Sequence, residues 1–170
     1  MSPKLRTLLW ILAVVVPLDQ LTKQLVVSHI APGDYIVPIQ ALDGFLRITH
    51  SRNSGAARGL LQNVGPYPFV VLTGVALLLI GSFWRRIDPH DRLSAVALGL
   101  IIAGAIGNLL DRVVRHEVID WAQFNLGLFI FPDFNVADSA IVIGVALLLL
   151  DVVTQETESG VAKAPGERDG

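Results

Sequence analysis

The 170-residue sequence contains no cysteine, and only 16% of its residues are charged. Without thiols the chain forms no disulfide, no thiolate nucleophile and no cysteine-ligated metal site. The net charge is −2, so the sequence offers no basic face, and we expect no nucleic-acid partner. Hydrophobic residues make up 52% of the chain and its mean hydropathy is +0.58. This composition predicts a protein embedded in a lipid bilayer.

Four stretches are long and apolar enough to cross a membrane, since a span needs about 20 mostly apolar residues. They cover residues 5–27, 67–84, 93–110 and 137–153. We reject a cleaved signal peptide for the first stretch, because it runs on past Asp19 and Lys23 without a small-x-small cleavage site and three spans follow it. The sequence therefore predicts a membrane α-helical fold with four transmembrane helices. Residues 1–153 are the predicted domain, and 154–170 a polar, disordered cytoplasmic tail.

Basic residues predict the orientation of these spans. Lys4 and Arg6 precede the first span, and the short loop between the second and third spans carries Arg85, Arg86 and Arg92. Because cytoplasmic loops are enriched in lysine and arginine, both termini and this loop are expected in the cytoplasm.

Two loops, 28–66 and 111–136, then face outward. Residues 45–50 and 118–131 within them are rich in β-branched and aromatic residues, interrupted by glycine and proline. This pattern favours short strands. We therefore expect a small extracytoplasmic β-rich cap on the bundle.

Ionisable groups gather at the outer ends of the spans. Asp19 and Lys23 are four residues apart on one helical face and are predicted to form an ion pair. Asp111, Asp120 and Asp138 lie at or between the outer ends of the third and fourth spans. A carboxylic acid beside a carboxylate can hydrolyse a peptide with water, one as acid and the other as base. Spacing alone leaves open whether Asp111 or Asp120 partners Asp138.

Helix capping is the alternative role for the carboxylate at the fourth span. Asp138 and Asn135 stand where an N-cap of that helix is expected. The same residues therefore have both a structural and a catalytic interpretation.

A zinc peptidase is a second alternative. His116, Glu117 and Asp120 form an H-E-x-x-D sequence with one imidazole instead of the two of a zinc motif. A zinc site here would need His29 or His50 as a further ligand. We predict no metal.

Two other functions remain to be weighed. Ser54 is the best serine nucleophile, with His50 or His116 as its base, although Asn-Ser-Gly is typical of a turn. A transporter or structural bundle could instead use the first-span ion pair and Asp111 as a proton relay. Such a relay should continue across the membrane, whereas the charges here stop at one surface.

Five sequence motifs occur in a characteristic order. They are D-Q-L-T-K at 19–23, R-N-S-G-A-A at 52–57, G-A-I-G-N-L-L-D-R at 104–112, V-I-D-W at 118–121 and F-N-V-A-D-S-A-I at 134–141. On a chain with four spans this series resembles the bacterial lipoprotein signal peptidase family, signal peptidase II, over residues 14–153.

The resemblance implies an aspartyl endopeptidase of the bacterial inner membrane, with its active site near the outer face. Its substrate would be a diacylglyceryl-modified prolipoprotein, cut just before the lipidated cysteine. No cofactor is implied. Membrane lipids are further expected partners, and we expect a monomer.

The resemblance also assigns residues. It implies that Asp120 and Asp138 are the catalytic pair. Substrate binding or support is implied for Asn53, Gly55, Asn108, Asp111, Arg112, Asn135, Asp19 and Lys23. Arg58 departs from the family pattern, because it stands where the family usually has an aromatic residue.

Overall fold

Four helices form the body of the protein, described here by a computed structural model that covers residues 1–55 and 65–161. They are α1 Pro3–His29, α2 Tyr67–Arg86, α3 Arg92–Val114 and α4 Val136–Val161. Each is long and apolar enough to cross a membrane, which confirms the four predicted spans. Arg58 lies outside the described residues.

All four helices end later than the predicted spans, and the difference is largest for α3 and α4. α3 continues to Val114, so Asp111 and Arg112 lie inside the helix and do not close it. α4 continues to Val161, beyond the predicted boundary between domain and tail. The separate, disordered tail stays a prediction.

Glycines let the other helices approach α3 closely. A Cβ atom on Gly104 would collide with the carbonyl oxygen of Ala137, and one on Gly107 would lie 2.7 Å from Asp19 Oδ2. Such small residues allow membrane helices to pack backbone against backbone. The glycine face of α3 therefore packs closely against α1 and α4, and α3 is the central helix of the bundle.

Three short strands form an antiparallel sheet in the order β1-β2-β3, which confirms the predicted β-rich cap as a structural element. They are β1 Tyr35–Ile36, β2 Leu46–Asn53 and β3 Val118–Phe124. The sequence did not predict β1, and β3 ends earlier than the predicted strand region. The pairing of β2 with β3 sets Asn53 opposite Val118 and Ser51 opposite Asp120. The end of β2 is thereby brought next to Asp120.

The sheet lies at one end of the bundle. Its residue Ile119 packs against Val26 and Ile30 at the end of α1. At the opposite end, Lys4 Nζ donates to the carbonyl oxygens of Trp84 and Ile87 at 3.1 and 2.8 Å. The start of α1 and the α2–α3 connection therefore lie at the end away from the sheet.

Candidate active site

Asn135 joins the two predicted catalytic carboxylates. It directly precedes α4, and its Nδ2 donates to Asp120 Oδ1 at 2.7 Å. Its Oδ1 accepts from the backbone N–H of Asp138 at 2.9 Å, and its own backbone N–H donates to Asp138 Oδ2 at 3.3 Å. These reciprocal contacts form a helix cap. The capping interpretation is correct, and the same contacts place Asp138 near Asp120. We call these two residues the carboxylate pair.

Asn108 provides a second link to the pair, from α3. Its Nδ2 donates to Asp138 Oδ1 at 2.7 Å. Its Oδ1 accepts from Asn135 Nδ2 at 3.2 Å and from Lys23 Nζ at 3.1 Å. Asn108 is therefore the connection between the carboxylate pair and the charges of α1.

Asp120 is buried on β3, with only 4% of its surface exposed. Burial raises the pKa of its carboxyl from 3.8 to about 6, and the negative charge of Asp138 raises it as well. The hydrogen bonds from Asn53 and Asn135 and the charge of Lys23 lower this pKa. Asp120 thus keeps its proton closer to neutral pH than a carboxyl in water does. That property suits a general acid.

Asn53 contributes to the site from the end of β2. Its Nδ2 donates to Asp120 Oδ2 at 3.0 Å, and its Oδ1 accepts from the backbone N–H of Gly55 at 2.9 Å. Gly55 has a φ of +79°, and a Cβ atom there would lie 2.7 Å from the ring of Phe69. Only glycine satisfies both constraints. Gly55, two residues after the end of β2, therefore lies directly against α2.

Arg112 lies on the same side of the site as Phe69. Its guanidinium carbon is 5.7 Å from the centre of the Phe69 ring, within the range of a cation–π contact. One of its terminal nitrogens donates to the carbonyl oxygen of Asn108 at 3.3 Å. The carboxylate pair attracts this positive charge. Within the described residues Arg112 bonds directly to neither carboxylate of the pair. It therefore acts on them through its positive electrostatic potential.

A second group of charges, here called the ion-pair cluster, consists of Asp19, Lys23, Asp111 and Arg115. Lys23 Nζ lies 2.8 Å from Asp19 Oδ2 and 2.8 Å from Asp111 Oδ2, and none of these three side chains is exposed. Arg115, which is 21% exposed, pairs with Asp111 from the edge. The predicted ion pair of α1 is thus confirmed and enlarged to two positive and two negative charges. Asp19 Oδ1 also accepts from the backbone N–H of Ala137 at 2.9 Å, so the cluster holds the start of α4.

The geometry does not support the zinc interpretation. Asp120 lies on a strand and not on a helix shared with His116, and Glu117 forms an ion pair with Arg52 at 3.0 Å. Within residues 1–55 and 65–161, no three histidine or acidic side chains are grouped to hold a metal ion.

The serine interpretation also lacks its base. His50 is a buried residue of β2, and its Nδ1 bonds to the carbonyl oxygen of Ile30 at 2.7 Å. His116 stands before β3 with a φ of 64°. Among the described residues, neither imidazole is hydrogen-bonded to Ser54.

All the predicted site residues lie at the sheet end of the bundle, but three supporting residues were not predicted. Gln20 Nε2 donates to Asp19, to the carbonyl oxygen of Gly107 and to Asp111 at 3.1–3.2 Å. Arg115 is one helical turn after Asp111, a spacing that could have identified it. Phe69 gave no sequence signal, because its role depends on how α2 packs beside β2.

A family model described as "Signal peptidase (SPase) II" matches residues 11–154. A lipoprotein signal peptidase of Geobacillus kaustophilus is 48% identical over 83% of this chain and 89% of its own length. One of Bacillus pumilus is 44% identical over 82% of this chain and 88% of its own length.

Solved structures agree with these relatives. A bacterial membrane enzyme solved by the in meso method at 2.3 Å resolution has a TM-score of 0.80 and 33% identity, and the match covers 99% of both chains. Another, solved by the same method at 1.9 Å, has a TM-score of 0.79 and 35% identity. That match covers 89% of this chain and 95% of the other.

Proposed function

The chain belongs to the signal peptidase II family, whose reaction is the removal of signal peptides from prolipoproteins, and we propose that it carries out this reaction as an aspartyl endopeptidase. Asp120 and Asp138 are the proposed catalytic residues. One observation carries the proposal: the carboxylates of Asp120 and Asp138 both accept hydrogen bonds from Asn135, from its side-chain amide and its backbone N–H respectively, and within the described residues neither is in an ion pair.

The surroundings of the pair favour one division of roles. Asp120 holds a proton up to about pH 6 because it is buried, so it acts as the acid. Asp138 is only partly buried and accepts hydrogen bonds from Asn108 and from the Asn135 backbone, so it acts as the base.

The proposed reaction then proceeds in two steps. Asp138 takes a proton from water as the water oxygen attacks the scissile carbonyl carbon, and Asp120 gives its proton to the carbonyl oxygen. The C–N bond next breaks as the amide nitrogen takes the proton from Asp138, and Asp120 recovers a proton from the hydroxyl of the intermediate. Both carboxyl groups return to their starting states.

Substrate binding is proposed at the sheet end. Asn53 and Gly55 lie at the edge where an extended peptide could run past Asp120, and Arg112 provides a donor on the side of α2. The acyl chains on the substrate cysteine would fix the depth of the scissile bond in the bilayer, so proximity is supplied by the substrate itself.

Charge supports the proposed location. The end of the bundle away from the sheet carries Lys4 and Arg6 together with Arg85, Arg86 and Arg92. The positive-inside rule therefore puts this end in the cytoplasm and the carboxylate pair near the outer face of the inner membrane.

The test is cleavage of a diacylglyceryl-modified prolipoprotein by the purified protein in detergent. We expect Asp120→Asn and Asp138→Asn each to lower kcat by at least about 1,000-fold while the protein stays folded. EDTA should have no effect. Asp133→Asn is the matched control, because Asp133 also accepts two neutral hydrogen bonds, from Thr49 and Gln123, but lies outside the pair.

Wild-type cleavage by either pair variant would refute the assignment. Loss of activity with EDTA would point to a metal instead. Equal loss in Asp133→Asn would mean that replacing any carboxylate at this end of the bundle damages the enzyme.

A further inference from the structure

Lys23 lies deep in the protein and is surrounded by oxygen atoms. Its ammonium contacts Asp19 Oδ2 and Asp111 Oδ2 at 2.8 Å each and Asn108 Oδ1 at 3.1 Å. An ammonium group donates three hydrogen bonds and accepts none. These three acceptors therefore use its full capacity. Two of these contacts neutralise carboxylates. The third, to Asn108, is made to a neutral amide and is not needed for charge balance.

The three contacts of the Asn108 side chain allow only one orientation of its amide. Its oxygen faces two donors, Lys23 Nζ and Asn135 Nδ2, and its nitrogen faces the carboxylate of Asp138 at 2.7 Å. Turning the amide over would set its nitrogen against both donors and its oxygen against a carboxylate. Asn108 is buried, with 6% of its surface exposed, so water cannot relieve such contacts.

We propose that Lys23 is a positioning residue for cleavage: its ammonium fixes the Asn108 amide with the oxygen towards α1, so that the nitrogen always donates to Asp138. The inference rests on the proposed function, because Lys23 acts through Asp138, the proposed general base of the carboxylate pair. Without the ammonium, only one donor, Asn135 Nδ2 at 3.2 Å, still opposes turning of the amide, and the turned oxygen can accept from Asp138 whenever that carboxyl carries a proton. Lys23 removes that competing arrangement.

The main variant replaces Lys23 without leaving an unbalanced charge. Lys23→Met combined with Asp19→Asn removes one positive and one negative charge from the ion-pair cluster, and Asp111 keeps Arg115. We expect kcat to fall about 10- to 100-fold, the size of effect of one charge-assisted hydrogen bond, with KM within about twofold of wild type. Thermal unfolding in detergent checks that this variant is folded.

Two comparisons isolate the contact to Asn108. Lys4→Met also removes a lysine that donates to two acceptors, but Lys4 lies at the opposite end of the bundle, and this variant should keep kcat within about twofold of wild type, as expected of a distant, independent site. Asp19→Asn alone, which leaves Lys23 bonded to Asn108, should lose less kcat than the double variant. A loss in Asp19→Asn as large as in the double variant would overturn the proposal.

A double-mutant cycle supplies the decisive readout. If Lys23 acts through Asn108, adding the two substitutions to Asn108→Ala should lower kcat by no more than about a further twofold. Losses that multiply independently would overturn the inference while leaving the catalytic pair intact. An active Asp138→Asn in the same assay would instead overturn the proposed function, so the two failures are distinguishable.

Discussion

The ion-pair cluster and the carboxylate pair lie side by side at the same end of the bundle and contain the same functional group in two opposite settings. In the ion-pair cluster, each carboxylate has a cation within hydrogen-bonding distance. In the carboxylate pair, the direct partners are neutral amide groups. Asn108 contacts both groups and separates them.

This difference shows how one small region can be both stable and reactive. A buried carboxylate with a cation beside it remains ionised and holds helices together. A buried carboxylate with only amide partners keeps a proton more easily and can exchange it with a substrate. The ion-pair cluster fixes the backbone that carries the carboxylate pair, because Asp19 accepts from Ala137 at the start of α4.

The largest effect is expected from breaking the ion-pair cluster on one side only. Lys23→Met alone leaves Asp19 and Asp111 buried with a single cation, and we expect it to lower the free energy of unfolding by about 3–5 kcal/mol. Denaturant unfolding in detergent measures this loss. The charge-balanced variant with Asp19→Asn should recover most of it. If Lys23→Met and the charge-balanced variant are equally unstable, the stability depends on the packing of the lysine side chain and not on its charge.

A smaller effect of opposite sign is expected in the carboxylate pair. The pKa of Asp120 is raised from 3.8 to about 6 in the folded protein, so the unfolded chain ionises first as the pH rises. Wild type therefore loses stability between about pH 4 and pH 6, by about 2–3 kcal/mol at most, and the deficit stays constant above pH 6.

Asp120→Asn has no such ionisation, so its stability relative to wild type should increase from pH 4 to pH 6 and then level off. Unfolding of both proteins at pH 4, 5, 6 and 8 measures the trend. A difference that does not change with pH would mean that burial does not disfavour ionisation of Asp120, and the comparison between the two groups of charges would lose its basis.

Much of the fold could be predicted from the sequence because the bilayer imposes a length and a composition on each span. The four spans were therefore found. Helix ends were less accurate, since α3 continues through Asp111 and Arg112, which are polar but are satisfied by partners on other elements. The two-residue strand β1 was missed because its pairing with β2 is a tertiary contact.

The site was predicted less completely from residue chemistry than from motif resemblance. Spacing could not choose between Asp111 and Asp120, because both lie near Asp138 along the chain and only the fold gives Asp111 a lysine and an arginine. The spacing of Asp19 and Lys23 did predict their ion pair. Their connection to Asn108 could not be predicted, since it joins α1 to α3 across 85 positions.

The smallest effect, and the most specific, is a shift in the pH dependence of cleavage. As the proposed acid, Asp120 must be protonated, so kcat/KM should fall as the pH rises above about 6. Asn53 donates to Asp120 and lowers its pKa. Asn53→Ala should therefore raise that pKa and move the alkaline limb to higher pH, by up to about one unit.

Asn125→Ala is the matched control for this shift. Asn125 accepts from the backbone N–H of Gly127 at 2.9 Å, the same turn contact that Asn53 makes with Gly55, but it is not bonded to Asp120. Replacing it should leave the limb in place. Profiles of kcat/KM against pH for wild type, Asn53→Ala and Asn125→Ala test this prediction. An alkaline limb that stays fixed or moves to lower pH in Asn53→Ala would exclude Asp120 as the titrating group. A limb that moves only in Asn53→Ala would place the titrating proton on the carboxyl that this asparagine contacts.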